Sequence, residues 1–535
     1  MNSSDTEKER FVLPQWLPFR VAILQRDLLA TNIHDTPIDT RASEDAFEAA
    51  LVSFRELPGP FLASNLLGIS LRLGKTEASK ELATYVLGQP IAGPVARRIA
   101  QETLGEATKP VLTETTTLHT KIREAKTWVR RFPTDAIAWV EYARLYTIIG
   151  QKKRAEKTME RALILGPTDR YIIRAAVRFF IHRGNWERAH HIAGAAARET
   201  NDPWIIALWI STGSQLDKIP PKFKNYFATA LASNNHFHFS ELLEACATQE
   251  IIAGSEKKAK RAFQQAWLDP SKNVIAHSQW VIREKMPQLA ATASIDFSQS
   301  SEAMAWVSLM RLQLSEAVQS SREWALEEPF SSKPFMHGSF VDTLREDYEE
   351  AESLAREGLR ANPGHHGLTN NLAFSLVGQN RIDEAVALLE PLRKDFEETK
   401  DVALLATWGL VRMKQRLHAE GRQFYARAIE EAKNQNDSRL ALRAALNLFM
   451  AEIDTGGTIN LDLLMSAAEA VAKTSDARVI ATAERLNKRF RTNQSLFPNE
   501  KEKAALARFE RAVTASSNIL NNIVIAAEHL SIKKE

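Results

Sequence analysis

Residues Ala136–Pro167 read AIAWVEYARLYTIIGQKKRAEKTMERALILGP and contain two helical patterns separated by a glycine. The apolar face of the first pattern comprises Trp139, Tyr142, Ala143 and Tyr146. Gly150 ends this helix, and a second face of Ala155, Met159 and Ala162 follows before Pro167. Neither short helix can bury its apolar stripe alone, so the pattern predicts a helical hairpin that must pack on neighbouring hairpins.

The pattern recurs along the chain in steps of 34 residues. The second copy follows at once, with Gly184 in the place of Gly150. Further copies begin near Trp204, Ser240, Ser298, Ser332, His366 and Val402, the last after a two-residue insertion. Small residues recur at the same sites, as a close helix crossing requires. Several copies in one phase favour a stack of repeats over a non-repetitive helical bundle.

The pattern resembles the tetratricopeptide repeat (TPR), most clearly over residues 136–433. The closest copies are Ala136–Pro167, Ser332–Pro363 and His366–Arg393. Together, the repeat and this resemblance imply an all-α, right-handed superhelical solenoid of about a dozen helical hairpins. The resemblance further implies that the first helix of each hairpin lines a concave groove in which a ligand is held.

The boundaries of the repeats predict six regions. They are a disordered tail at 1–10, diverged helical pairs at 11–135, TPR-like repeats at 136–284, a hinge at 285–300, TPR-like repeats at 301–433, and diverged pairs with a capping helix at 434–535. The hinge is placed at 285–300 because Met286-Pro287 interrupts the weakest repeat.

Composition limits the classes of function. The chain has 535 residues with 69 Lys and Arg against 66 Asp and Glu, so its net charge of +3 is not that of a dedicated nucleic-acid binder. Its single cysteine, Cys246, cannot form an internal disulfide and lies on a predicted core face. With no apolar stretch long enough to cross a membrane and no signal peptide, we expect a cytoplasmic protein.

Catalytic and metal-binding motifs are not found in the sequence. It contains no phosphate-binding loop, no dinucleotide fingerprint and no zinc-protease motif. The histidine pairs His190-His191 and His365-His366 point in different directions on a helix and have no accompanying cysteines. We therefore predict a non-enzymatic protein with no catalytic residue, no cofactor and no metal site.

Two groups of side chains are predicted to face the groove. The first is a basic patch of Arg144, Arg174, Arg178 and His182, which suits an anionic guest such as an acidic segment or a chain terminus. It is similar in charge to the carboxylate clamp of some TPR proteins, although the Lys and Asn residues of that clamp are not reproduced. Alternatively, its arginines pair with carboxylates of an adjacent helix, such as Glu141 or Glu199.

The second group is an apolar row that suits a partner helix or an extended peptide. It comprises Met336, Phe340, Asn370, Phe374, Leu410 and Met413. Packing between repeats is the alternative explanation for these residues. The sequence thus favours a protein–protein interaction scaffold or adaptor, a subunit of a larger assembly whose partners are proteins rather than membranes or small molecules. Binding of RNA by the helical repeats is the competing prediction.

Overall fold

The computed structural model describes residues 12–17, 40–59, 62–63, 66–67, 70, 75–89, 100–101, 103–105 and 115–532. The tail predicted at 1–10 lies outside these ranges. Across the described residues the chain forms α-helices joined by short turns and contains no β-strand. The prediction of an all-α chain built from helical pairs is confirmed.

The N-terminal half contains twelve α-helices within the described ranges. They are α1 (Thr40–Glu56), α2 (Thr76–Gly88), α3 (Thr115–Arg131), α4 (Ala136–Ile148), α5 (Lys152–Leu165), α6 (Arg170–His182), α7 (Trp186–Thr200), α8 (Pro203–Gln215), α9 (Phe223–Ala232), α10 (His236–Ile252), α11 (Glu256–Ala266) and α12 (Lys272–Glu284). From α4 to α12, even-numbered helices are the first members of their pairs.

Two 3-10 helices, Pro287–Thr292 and Phe297–Gln299, follow α12. The C-terminal half then contains α13 (Ser301–Met310), α14 (Leu314–Glu327), α15 (Ser332–Arg345), α16 (Tyr348–Ala361), α17 (His366–Gly378), α18 (Ile382–Leu389), α19 (Arg393–Glu398), α20 (Val402–Lys414), α21 (His418–Asn434), α22 (Ser438–Thr455), α23 (Leu461–Val471), α24 (Ala477–Thr492) and α25 (Glu500–Ile532). A 3-10 turn at Glu390–Leu392 connects α18 and α19 into one bent second helix.

The chain divides into two compact units, one formed largely by residues 12–274 and the other largely by residues 275–532. The division falls within α12, and the 3-10 segments follow it. The hinge predicted at 285–300 covers these segments and stays a prediction. Each unit has helical pairs of its own.

The turns within the helical pairs show the repeat in the backbone itself. Gly150 and Gly184, 34 residues apart, both have a positive φ, near 70°. In the C-terminal unit the same left-handed turn position is taken by Leu312, Glu346, Asn380 and Arg416, with φ between 57° and 67°. The last interval is longer by the two residues inserted before α20. Because one residue per pair must adopt this conformation, the turn reproduces the period even where glycine is absent.

Small residues at the helix crossings are the second feature that recurs from repeat to repeat. Ala317, Ala351 and Ala385 occupy equivalent positions on successive second helices, and all three are fully buried. Gly421 takes this position in the next pair, where a Cβ atom would overlap the Met413 side chain. These sites allow the backbones of a pair to approach closely, while large side chains such as Trp408 fill the space between pairs.

Candidate functional site

In the N-terminal unit, the basic patch lies on first helices but is largely enclosed by protein. The Asp169 carboxylate caps α6 by accepting from the Ile172 amide, which fixes where the helix begins. Arg144, Arg174 and Arg178 are buried, with exposed fractions of 6–8%, and His182 is half-buried. The structure therefore places the three predicted arginines in the interior of the unit.

Arg174 belongs to a buried ion pair. Its Nη1 and Nη2 atoms donate to the two carboxylate oxygens of Glu241 at 2.8 and 3.1 Å. Glu241 also accepts from Ser271 and Asn273, and the Arg174 guanidinium lies 5.1 Å from the centre of the Trp204 ring. The prediction that Arg174 faces an external anion is wrong. Its guanidinium is already paired with the Glu241 carboxylate of α10. Neither Glu141 nor Glu199 is the partner in this pair.

Arg144 contacts a segment of the same chain near its N-terminus. Its Nε atom donates to the carbonyl oxygen of Trp16 at 3.1 Å. The Tyr171 hydroxyl lies 3.1 Å from the next carbonyl, that of Leu17, and 2.6 Å from a carboxylate oxygen of Glu141. Burial, reinforced by the Glu141 carboxylate, raises the pKa of Tyr171, so this hydroxyl remains a hydrogen-bond donor.

In the C-terminal unit, the apolar row lines a cavity. Phe340, Asn370 and Phe374 contribute to its wall from α15 and α17, and the cavity has a volume of about 70 Å³. The side-chain oxygen Oδ1 of Asn370 accepts from the Thr407 hydroxyl at 2.7 Å, which fixes the orientation of the side-chain amide. A neighbouring cleft of about 300 Å³ shares Phe374 and adds Leu410. Four of the six predicted residues therefore line either the cavity or the neighbouring cleft.

The two methionines lie elsewhere. Met336 packs beside the buried cluster of Phe335, Leu354 and Leu368, between neighbouring pairs. Met413 is fully buried over Gly421, inside the hairpin of α20 and α21. The prediction that both face the groove is wrong for Met413, because its side chain fills the space that a glycine leaves at the helix crossing.

The far wall of the cavity comes from helices that sequence reasoning did not select. Arg443 and Asn447 on α22, and Thr482 and Arg485 on α24, all line it. The Arg443 guanidinium lies 4.6 Å from the centre of the Phe340 ring. These helices match the repeat pattern poorly, so periodicity placed them without indicating which side chains face inward.

Charged contacts hold α24 against the start of the C-terminal unit. Glu346 lies 2.7 Å from Nη1 of Arg489 and 3.7 Å from Nε of Arg485, and Arg485 also donates to the Tyr348 hydroxyl at 3.2 Å. Burial works to raise the pKa of Glu346, but the surrounding cations outweigh it and the pKa is lowered. Ala481 of α24 packs in one cluster with Leu309, Val341 and Leu344. One wall of the cavity is therefore held in place by contacts within the same unit.

The Ser321–His337 pair and Cys246, which carry potentially reactive groups, are buried. No group of three or more His, Cys, Asp or Glu side chains among the described residues is placed to hold a metal ion. The Ser321 hydroxyl lies 2.8 Å from Nδ1 of His337, but both residues are buried, and burial lowers the pKa of His337 to about 3. Burial also raises the pKa of the Cys246 thiol, which disfavours the reactive thiolate. These groups are placed as packing residues.

Residues 343–408, which run from the end of α15 into α20, match the family model described as tetratricopeptide repeat. Residues 343–408 contain tetratricopeptide repeats. The matched TPR segment supplies Asn370 and Phe374 of the cavity and ends just before Leu410. Within the part of the chain that the structure describes, no helix is both long and apolar enough to cross a membrane.

Several solved structures resemble this chain over nearly their whole length at low identity. The APC/C hetero-tetramer Cut9–Hcn1 matches at 13% identity over 96% of this chain and 98% of that one, with a TM-score of 0.38. Yeast Tom70 matches at 12% identity over 88% and 98%, with a TM-score of 0.30. A monomeric IFIT1 mutant with m7Gppp-AAAA matches at 12% identity over 91% and 99%, also at 0.30. Similarities of this size support neither a shared partner nor a shared binding mode. A search of curated proteins finds none that matches the sequence.

Proposed function

We propose that the chain is a non-enzymatic protein-interaction scaffold that holds a segment of a partner protein at the cavity and the neighbouring cleft of the C-terminal unit. The observation that carries this proposal is the placement of equivalent repeat positions. Phe340, Phe374 and Leu410 occupy one position on three successive first helices, and each lines the cavity or its neighbouring cleft. Asn370 and Ala406 share a second such position and line the same cavity.

Half-buried aromatic side chains in a hollow are typical of binding sites for proteins. Phe340 and Phe374 are both half-buried, and their rings are not enclosed as those of Trp408 and Phe396 are. Aromatic side chains that bury further on binding supply much of the energy at such sites. The Asn370 amide and the arginines of α22 and α24 supply polar contacts that fix the orientation of a bound segment.

The test is capture of partners from the native host with the wild-type chain, followed by affinity measurement with variants. The double variant Phe340→Ala, Phe374→Ala should lose affinity about tenfold or more while still melting cooperatively. Leu417→Ala is the matched control, because Leu417 is a large apolar residue of the same unit that is 46% exposed and lies outside the cavity. Full affinity in the double variant, or a captured nucleic acid whose binding falls steeply with salt, would contradict the proposal.

A further inference from the structure

Residues 12–17, with the sequence VLPQWL, are held inside the N-terminal unit although they form neither helix nor strand. Over residues 12–16, Val12, Pro14 and Trp16 are buried and the two residues between them are half-buried, and Leu17 after them is buried as well. Burial of alternate side chains is typical of an extended segment with one side against a surface. Trp16 and Val12 are fully buried, so the contact is close.

Side chains of first helices hold this segment through its backbone. Arg144 of α4 donates to the Trp16 carbonyl oxygen, and the Tyr171 hydroxyl of α6 lies within hydrogen-bond distance of the Leu17 carbonyl oxygen. Contacts to backbone carbonyls are available to any extended chain and carry little sequence information. These contacts contribute to affinity and fix the direction in which the segment runs. Sequence specificity must therefore come from the pockets that hold the side chains.

The pocket that holds Trp16 provides sequence specificity. The Trp16 ring meets the Phe179 ring edge-to-face, with 6.0 Å between ring centres, and Phe179 is itself fully buried against Phe180. A buried tryptophan in an aromatic pocket is a typical anchor of a binding interface. Together, one tryptophan pocket and two adjacent donors to the main chain form a recognition site for an extended peptide.

We infer that this inner surface of α4 and α6 is a docking site for an extended, apolar partner segment with a tryptophan anchor, and that residues 12–17 occupy it as an intramolecular ligand. A partner segment of the same chemistry binds by displacing residues 12–17. The site lies in the N-terminal unit and is independent of the cavity proposed above for the C-terminal unit.

Competition between the two ligands determines the expected affinities. A tethered segment is present at an effective concentration in the millimolar range, so a free peptide with the same contacts binds the wild-type chain poorly. A substitution that weakens the tethered copy leaves the pocket intact and open. The free peptide should then bind at least about tenfold more tightly to the variant than to the wild type.

The experiment uses the full chain with Trp16→Ala and a fluorescently labelled VLPQWL peptide, followed by anisotropy titration. Trp16→Ala should bind the peptide at least about tenfold more tightly than the wild type. Adding Arg144→Ala to this variant should weaken binding about tenfold, because a charged hydrogen-bond donor is lost. A control peptide with alanine in place of tryptophan should bind neither chain. Equal affinity for the wild type and Trp16→Ala, or undiminished binding of the control peptide, would overturn the inference.

Hydrogen exchange provides a second measurement if Trp16→Ala fails to fold. In Tyr171→Phe, which removes one hydroxyl, the five backbone amides of residues 12–17, all but Pro14, should exchange at least about tenfold faster while those of α7 are unchanged. Unchanged exchange at 12–17, or equally accelerated exchange in α7, would assign the segment a purely structural role. A wild-type dimer that Trp16→Ala abolishes would assign the site to residues 12–17 of a second copy and overturn the proposal of a separate partner.

Discussion

The Arg174 guanidinium donates two hydrogen bonds to the Glu241 carboxylate, and the side chains are 7% and 1% exposed. The two residues lie on α6 and α10, so the pair connects first helices that are two repeats apart. Two buried charges are tolerated when each is paired and its remaining hydrogen-bonding atoms are satisfied. Ser271 and Asn273 meet this requirement for Glu241.

Replacing Arg174 with alanine should destabilise the N-terminal unit by about 3–5 kcal/mol, because Glu241 is left as an unpaired buried charge. Urea unfolding monitored by circular dichroism measures the change. Arg188→Ala is the matched control. Arg188 pairs with Glu160 at 2.8 Å, but both side chains are 38% exposed, so its loss should cost no more than about 1 kcal/mol. Equal effects of the two substitutions would show that burial does not determine the strength of the Arg174 pair.

Replacing Ala385 with aspartate should destabilise the C-terminal unit by several kcal/mol, because the site is fully buried at a helix crossing. Ala387→Asp on the same helix is the control, since Ala387 is exposed and has the same intrinsic helix preference. Thermal melting compares the two variants. A similar small shift for both would mean that the backbone at Ala385 opens to admit the carboxylate.

The sequence predicted the architecture well because the repeat is a local pattern. Helix faces, turn positions and small residues such as Ala385 recur with one period, and the structure shows the same period in its backbone. The two-residue insertion before α20 can also be recognised in the sequence. The same period places Phe340 and Phe374 at equivalent positions on successive first helices.

The features that the sequence did not predict depend on contacts between residues far apart in the chain. Glu241 is 67 positions from Arg174, and Trp16 is 128 positions from Arg144. Arg485, which lines the cavity, contacts Tyr348 over 137 positions. No periodic signal connects such residues, because each pair depends on how successive repeats rotate. Periodicity therefore predicts the helical pairs and their turns, but it does not identify the distant side chains that a given residue contacts.

Asp342, at the end of α15, should make stability fall as the pH rises. Burial raises its pKa to about 6, despite the opposing hydrogen bond from Arg345, and its Oδ2 atom has no hydrogen-bond partner among the described residues. A raised carboxyl pKa means that the folded state favours the protonated form. The stability that protonated Asp342 contributes to the folded state is therefore lost as the pH rises from the unfolded pKa near 4 through the folded pKa of about 6.

The measurement compares the wild type with Asp342→Asn by urea unfolding at pH 4 and pH 8. Between these values the wild type should lose about 2 kcal/mol more than the variant, because the amide cannot ionise. Titration of other groups affects both proteins equally and cancels in the comparison. Parallel pH profiles for the two proteins would show that Asp342 is already ionised in the folded state at pH 4.

Asp476 should show the opposite dependence. Burial opposes its ionisation, but the charge and hydrogen bond of Arg478, the charge of Arg443 and the Val479 amide outweigh it and lower the pKa to about 2. The carboxylate also caps α24, which lines the cavity of the C-terminal unit. A lowered carboxyl pKa contributes stability above the unfolded pKa near 4, and this contribution is lost as the pH falls towards 2.

At pH 7, Asp476→Asn should therefore be less stable than the wild type by about 2 kcal/mol, and at pH 3 the difference should shrink to about 1 kcal/mol. Asparagine is itself a good helix cap, so the substitution removes the charge while keeping the acceptor oxygen at the start of α24. Urea unfolding at the two pH values tests the prediction. A difference that is the same at pH 7 and pH 3 would mean that the loss comes from altered capping geometry rather than from the charge of Asp476.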